Sequence, residues 1–207
     1  MINSFPFLGF KGFYHVGTLN PKDKKVDSFE GNGLSVSVDP EVWKKITPLE
    51  GSTWKLSKPN GGKFMFATSL SPENYHEIWN WGLENGYTEL KTLFNVRYFQ
   101  EGLDEMVTLE FDTKEEFLEK GIPEERIVKN DHAIKNTKKF EERLGWSLNW
   151  TPFIFDIVIT FYAEDNGFDG VWWNHLHNVE KRSAPCGVIF KSKLEVRGSK
   201  KTNLFAL

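Results

Sequence analysis

The chain has 207 residues, with 26 Lys and Arg against 29 Asp and Glu, a formal net charge of −3 and a pI near 6.0. That balance argues against sequence-independent nucleic-acid binding as the main role, because such binding needs a clear basic excess. The one cysteine, Cys186, rules out an internal disulfide, and no run approaches the roughly 18 uninterrupted apolar residues of a membrane-spanning helix.

The first residues, Met1 to Pro6, lack a basic stretch ahead of an apolar run, so no signal peptide is expected and the expected setting is soluble and cytoplasmic. Aromatics are plentiful, with 18 Phe, 8 Trp and 5 Tyr. Each buries about 150–250 Å², enough for rings to dominate the core and to line a concave site for a flat ligand.

In chain order, residues 1–11 read as an apolar, irregular arm. Gly12–Gly17 reads as a strand with Phe13 and His15 on one face and Tyr14 and Val16 on the other. Residues 22–27 form a charged loop. Leu34–Val38 alternates strictly, Ser35 and Ser37 on one face and Leu34, Val36 and Val38 on the other. Asp39 and Pro40 then open a short helix to about Ile46 that carries Trp43. Residues 52–57 and 63–67 are predicted as two strands around a turn at Pro59–Gly62.

Ser71-Pro72 opens a helix with an apolar stripe at Tyr75, Ile78, Trp79 and Leu83, stopped by Asn85-Gly86. Residues 94–100 and 106–111 are predicted as a hairpin. A charged helix follows Asp112 and breaks at Gly121. Residues 124–144 are highly charged and predicted as a helix with a solvated face rather than a binding tail. Thr151-Pro152 caps a last helix over 153–164 that is apolar nearly all round and therefore buried. Val171–Trp173 and Gly187–Phe190 are strands flanking a polar loop, and a basic tail closes the chain as a final strand. The strands cluster at both chain ends with helices between, so the elements do not alternate as a doubly wound fold does. Neither a GxGxxG turn nor a GK[ST] phosphate loop is present.

Strand, polar loop, strand is a common way to hold reactive side chains at a sheet rim, and Gly167–Phe190 is predicted to be one half of a site, with Tyr14-His15 as the other. His175 and His177 are spaced to share one face, but no third metal ligand stands at a fixed spacing, so no metal site is assigned. Without a GxSxG elbow, Ser35 and Ser37 are better hydrogen-bonding hydroxyls than nucleophiles. Glu180 is the single carboxylate in the 173–185 loop and is placed to steady positive charge at a sugar anomeric carbon. Asp169, just before Gly170, reads as a turn cap.

Three pieces together carry a resemblance: Tyr14-His15-Val16-Gly17-Thr18, then Gly31-Asn32-Gly33-Leu34-Ser35-Val36-Ser37 with a helix after Pro40, then Gly167-Phe168-Asp169-Gly170-Val171 with its polar loop. In this order they resemble the ADP-ribosyltransferase fold in its small phage- and toxin-type form. The resemblance covers about 12–46 and 153–190. It implies a single α+β domain over 1–207 with a split mixed and antiparallel sheet core, helices on the flanks and a helical insertion at about 85–150. It further implies NAD as substrate in a cleft, with His15 and Tyr14 on the ribose side and Ser35 and Ser37 shaping the nicotinamide side. Trp43, Tyr75 or Trp173 would stack on the nicotinamide. Glu180, or Asn174 in its place, would assist its departure. The acceptor would be a macromolecule, a host protein above all, with the enzyme acting in the host cytoplasm if phage-encoded. A non-catalytic nucleotide- or protein-binding module and an NAD glycohydrolase are the alternative readings.

Overall fold

The computed structural model describes residues 5–17, 19, 33–41, 44, 52–100, 105–145, 147, 154–173 and 186–193. The architecture is α+β: a five-stranded mixed sheet, a three-stranded antiparallel sheet, and four α-helices with described bounds. The strands are β1 (Phe7–Val16), β2 (Leu34–Ser37), β3 (Thr53–Phe66), β4 (Thr88–Gln100), β5 (Glu105–Phe111), β6 (Val128–Asn136), β7 (Gly170–Trp173) and β8 (Cys186–Ile189). The helices are α1 (Pro72–Glu84), α2 (Glu115–Glu119), α3 (Lys138–Leu144) and α4 (Ile154–Asp165).

The larger sheet runs β1-β2-β8-β7-β3, and β3 also pairs along β1, so the sheet curls until its two ends meet. The β1–β2 seam is a single described pair, Tyr14 opposite Ser37. We therefore describe a strongly curled mixed sheet rather than an even barrel. All its pairings are antiparallel except β3–β7, where Phe64, Met65 and Phe66 face Gly170, Val171 and Trp172 in parallel register.

Several sequence expectations change. The arm over 1–11 is in part strand, because Phe7 and Leu8 find partners in Met65 and Phe64. The two strands predicted around Pro59–Gly62 are one strand, β3. Gly12 pairs with Ser57 and Phe10 with Gly62, so the turn residues form a bulge opposite Lys11 instead of reversing the chain. Finally, the predicted helical insertion is largely a sheet, ordered β5-β4-β6.

Residues 128–136 pair with β4, Leu90 opposite Ile134 and Asn95 opposite Val128, and of the charged segment only Lys138–Leu144 is α-helical, after a 3₁₀ turn at Glu124–Arg126. Local helix preference lost to an open strand edge, and with Ala133 alone buried in β6 there was no alternation to read. His132 accordingly lies in a strand. The hairpin of β4 and β5 forms as the sequence predicts. After β8 the chain makes a 3₁₀ turn at Lys191–Lys193, where the sequence suggested a strand.

Helix α1 begins at the predicted place. Ser71 accepts from the Asn74 N–H at 3.2 Å, Asn74 returns the bond to the Ser71 N–H at 3.2 Å, and Pro72 needs no donor partner there. Helix α4 is buried on nearly every side, from Ile154 to Ala163.

Strand alternation divides the core in two. Met65, Val171, Trp173 and Val188 face outward beneath α4, together with Ile78 of α1 and Phe140 and Leu144 of α3. Phe13, Val36, Leu56, Phe64, Trp172 and Ile189 fill the inside of the curl. Each fully buried apolar side chain of this kind contributes about 1.5–3 kcal/mol.

Arg143 fastens α3 and the start of the second sheet to α4. It donates to Asp165 at 2.7 Å, to Glu164 at 3.1 Å and to the Tyr87 hydroxyl at 2.9 Å, and lies 4.5 Å over the Phe161 ring. Burial works against its charge, but these bonds outweigh that effect and raise its pKa above the ordinary value. Arg143→Met is expected to lower the urea midpoint by a stability loss of about 2 kcal/mol, since the pairs are only partly sheltered.

Gly170 is required by space. A Cβ there would collide with the Val188 carbonyl oxygen and with the Phe64 ring. Gly170→Ala is expected to cost more than about 3 kcal/mol in equilibrium unfolding, because one of the carriers of the clash is backbone.

Candidate functional site

The three motifs singled out in the sequence lie on one sheet. Tyr14, Ser37, Cys186 and Trp173 form a continuous row of Cα partners across β1, β2, β8 and β7. His15 is next to this row on β1 and points to the other face by alternation.

The His15 ring Nδ1 lies 2.7 Å from the Ser35 carbonyl oxygen. A carbonyl only accepts, so Nδ1 carries the proton in this bond. Gly17 (φ +125°) makes room beside it: a Cβ there would stand 3.4 Å from Nε2.

Trp54 is the residue that the sequence missed. It sits directly opposite His15 on β3, and its indole Nε1 donates to the Gly17 carbonyl at 2.8 Å. Opposed residues in an antiparallel pair share a face, so the half-buried Trp54 side chain lies on the same face of the sheet as His15. A Thr53–Leu56 strand alternating polar with apolar was the only sequence signal for it.

The other predicted residues have mixed placements. Tyr14 is half-buried opposite Ser37 and Lys55. Ser35 reaches His15 through its backbone. Ser37 is fully buried, and its hydroxyl organises the next turn by accepting from the Asp39 N–H at 3.1 Å. The Asp39 carboxylate then accepts from the Glu41 N–H at 3.0 Å, as an N-cap should, at the head of the helical turn containing Pro40, Glu41 and Lys44. Trp173 is 3% exposed within the larger core, with its indole on Asp156 at 3.3 Å, so its ring is sealed rather than offered to a cleft. Tyr75 is 39% exposed and keeps an open side. Glu180, Asn174, His175, His177 and Trp43 lie outside the described residues.

Asp169 caps more than its own turn. Its carboxylate accepts from the Lys63 N–H at 2.8 Å, its N–H donates to the Lys63 carbonyl at 2.8 Å, and its carbonyl accepts from the Phe190 N–H at 3.1 Å. The Gly-Phe-Asp-Gly-Val motif is thus a clasp between β3, β7 and β8.

Among the described residues no three of His, Cys, Asp and Glu gather as a metal-binding group, and no helix is long and apolar enough to cross a membrane. Comparison of the chain with protein-family models, with curated proteins and with solved structures gives no match.

Asp156, in the first turn of α4, was not anticipated either. Burial pushes its carboxyl above the usual aspartate range, and the bond from Trp173 offsets only part of that. With the folded value above the unfolded one, ionised Asp156 costs stability at neutral pH, and that cost vanishes once pH falls below the unfolded value. Asp156→Asn is therefore expected to raise Tm at neutral pH, with the gain over wild type narrowing as the buffer is made acidic. A gain that is independent of pH would contradict this.

Proposed function

We propose that the protein is an ADP-ribosyltransferase that uses NAD as substrate and a protein as acceptor. The observation that carries this reading is the pairing of His15 and Trp54. The resemblance gives the His15 imidazole a hydrogen bond to a ribose hydroxyl. A half-buried indole beside it can support a flat base or nicotinamide ring. Further support comes from the motifs with which the resemblance began, which lie on strands joined through β8 in one curled sheet.

In the proposed reaction the bond between nicotinamide nitrogen and ribose C1′ breaks, with the electron pair leaving on nicotinamide. Positive charge develops on the ribose and is steadied by Glu180 or Asn174. An acceptor nucleophile then bonds to C1′ and loses its proton.

A second reading is a non-catalytic NAD- or nucleotide-binding module. What favours it is that the Ser37 hydroxyl and the Trp173 ring are already engaged within the fold.

Calorimetric titration with NAD, paired with a nicotinamide-release assay on wild type, His15→Ala, Trp54→Ala and Glu180→Ala, separates these readings. His15→Ala and Trp54→Ala are each expected to weaken NAD binding about tenfold, the loss of one hydrogen bond or one stacking contact. Glu180→Ala is expected to abolish release with little change in binding. NAD binding without nicotinamide release selects the binding module, and free ADP-ribose without a modified protein selects an NAD glycohydrolase. No NAD binding and no release by wild type removes the reading altogether.

A further inference from the structure

Helices α1 and α4 meet along an aromatic wall at one end of the larger sheet. The Phe155 ring lies 5.3 Å from Tyr75 and 5.1 Å from Trp79, centroid to centroid. Tyr75 is exposed, while Trp79 and Phe155 are half-buried. Asp156 follows Phe155 in α4 and is also half-buried.

The Tyr75 hydroxyl is 3.4 Å from the Ala67 carbonyl, and Ala67 continues β3 just beyond Phe66, which pairs with Trp172. Trp173, next in β7, gives its indole N–H to Asp156. Burial first, and then the negative charge of Asp156, push the Tyr75 phenol up. Carboxylate, phenol and indole therefore converge where α1, α4, β3 and β7 meet.

Among the described residues no cation pairs with Asp156. Asp156 forms none of the salt bridges among the described residues, and its one hydrogen-bond donor there is the neutral indole of Trp173. A half-buried carboxylate with so little compensation is costly. Aromatic faces beside an uncompensated carboxylate attract one class of ligand, a cation that sheds water readily and lies flat on a ring. Guanidinium meets that description better than ammonium, because it is planar and weakly hydrated.

We propose that Tyr75, Trp79, Phe155 and Asp156 form a docking site for an arginine side chain of a protein partner. The guanidinium lies against the aromatic wall and donates to the Asp156 carboxylate on the side not used by Trp173. The inference rests on these residues alone and holds whether or not the protein turns over NAD.

The test uses the full chain and two probes of matched shape, N-acetyl-arginine amide and its neutral counterpart N-acetyl-citrulline amide. Each is titrated while the indole N–H signals of Trp79 and Trp173 are followed by NMR. The arginine probe is expected to shift these signals saturably, and the citrulline probe is not. Asp156→Asn should weaken the arginine response about tenfold or more, with unrelated amide signals reporting an intact fold. Tyr75→Leu, at an exposed position, should weaken it several-fold and gives a second, independent measure. Equal responses to the two probes, or an undiminished arginine response in both variants, would overturn the proposal.

Discussion

The structure depends on the clasp that Asp169 makes with Lys63. The two residues are 106 positions apart in the chain, and between them lie α1, the whole second sheet, α2, α3 and α4. A parallel strand pair always needs a crossover, and β3–β7 has an unusually long one. Long loops add only slowly to closure entropy, but the closing contacts must still outweigh the ordering of the strand ends. Asp169 supplies two hydrogen bonds to Lys63 and one to Phe190, tying β3, β7 and β8 at a single residue. Gly170, directly after it, lets the Val188 backbone and the Phe64 ring come close. Without that approach the sheet could not curl and Trp172 could not reach the inner core.

From this clasp the two tryptophans of β7 separate. Trp172 turns inward against Phe13, 6.3 Å between ring centroids, and Trp173 turns outward beneath α4. One strand thereby holds together two apolar cores of different composition. The inner core sets the spacing of β1 and β3, and hence the position of His15 opposite Trp54. The outer core sets the distance between α4 and the sheet, and hence the position of Asp156 against Trp173. The two candidate sites use opposite faces of the sheet. The NAD reading draws on the face of His15 and Trp54, and the arginine site draws on the face covered by α4.

The second sheet is a different kind of addition. Its strand β4 starts at Thr88, right after Tyr87, and Tyr87 binds Arg143. Arg143 in turn holds Glu164 and Asp165 at the end of α4. This charged and aromatic joint fixes the insertion to the helix that covers the outer core. It adds to the apolar contacts that the segment makes for itself, where Leu93, Val96 and Phe117 are buried.

Much of this was legible in the chain wherever a local physical rule acts alone. The Ser71-Pro72 cap, the all-apolar α4 and the Asp39 N-cap depend only on neighbours in sequence, and each formed as those rules require, whereas the alternation over Leu34–Val38 held only to Val36, since Ser37 is buried and Val38 exposed. The sequence also singled out His15 and the Asp169-Gly170 pair, because their residue types are distinctive in their settings. Tertiary structure decided what depends on partners far away. Strand β6 formed where charge predicted helix, because β4 offered an open edge. Pro59–Gly62 became a bulge, because both halves of β3 found the same strand. Trp54 joined His15, and Asp156 met Trp173 and the rings around it, because sheet register and helix packing brought them together. Periodicity reports which way a side chain points, but only the packed fold determines what it meets.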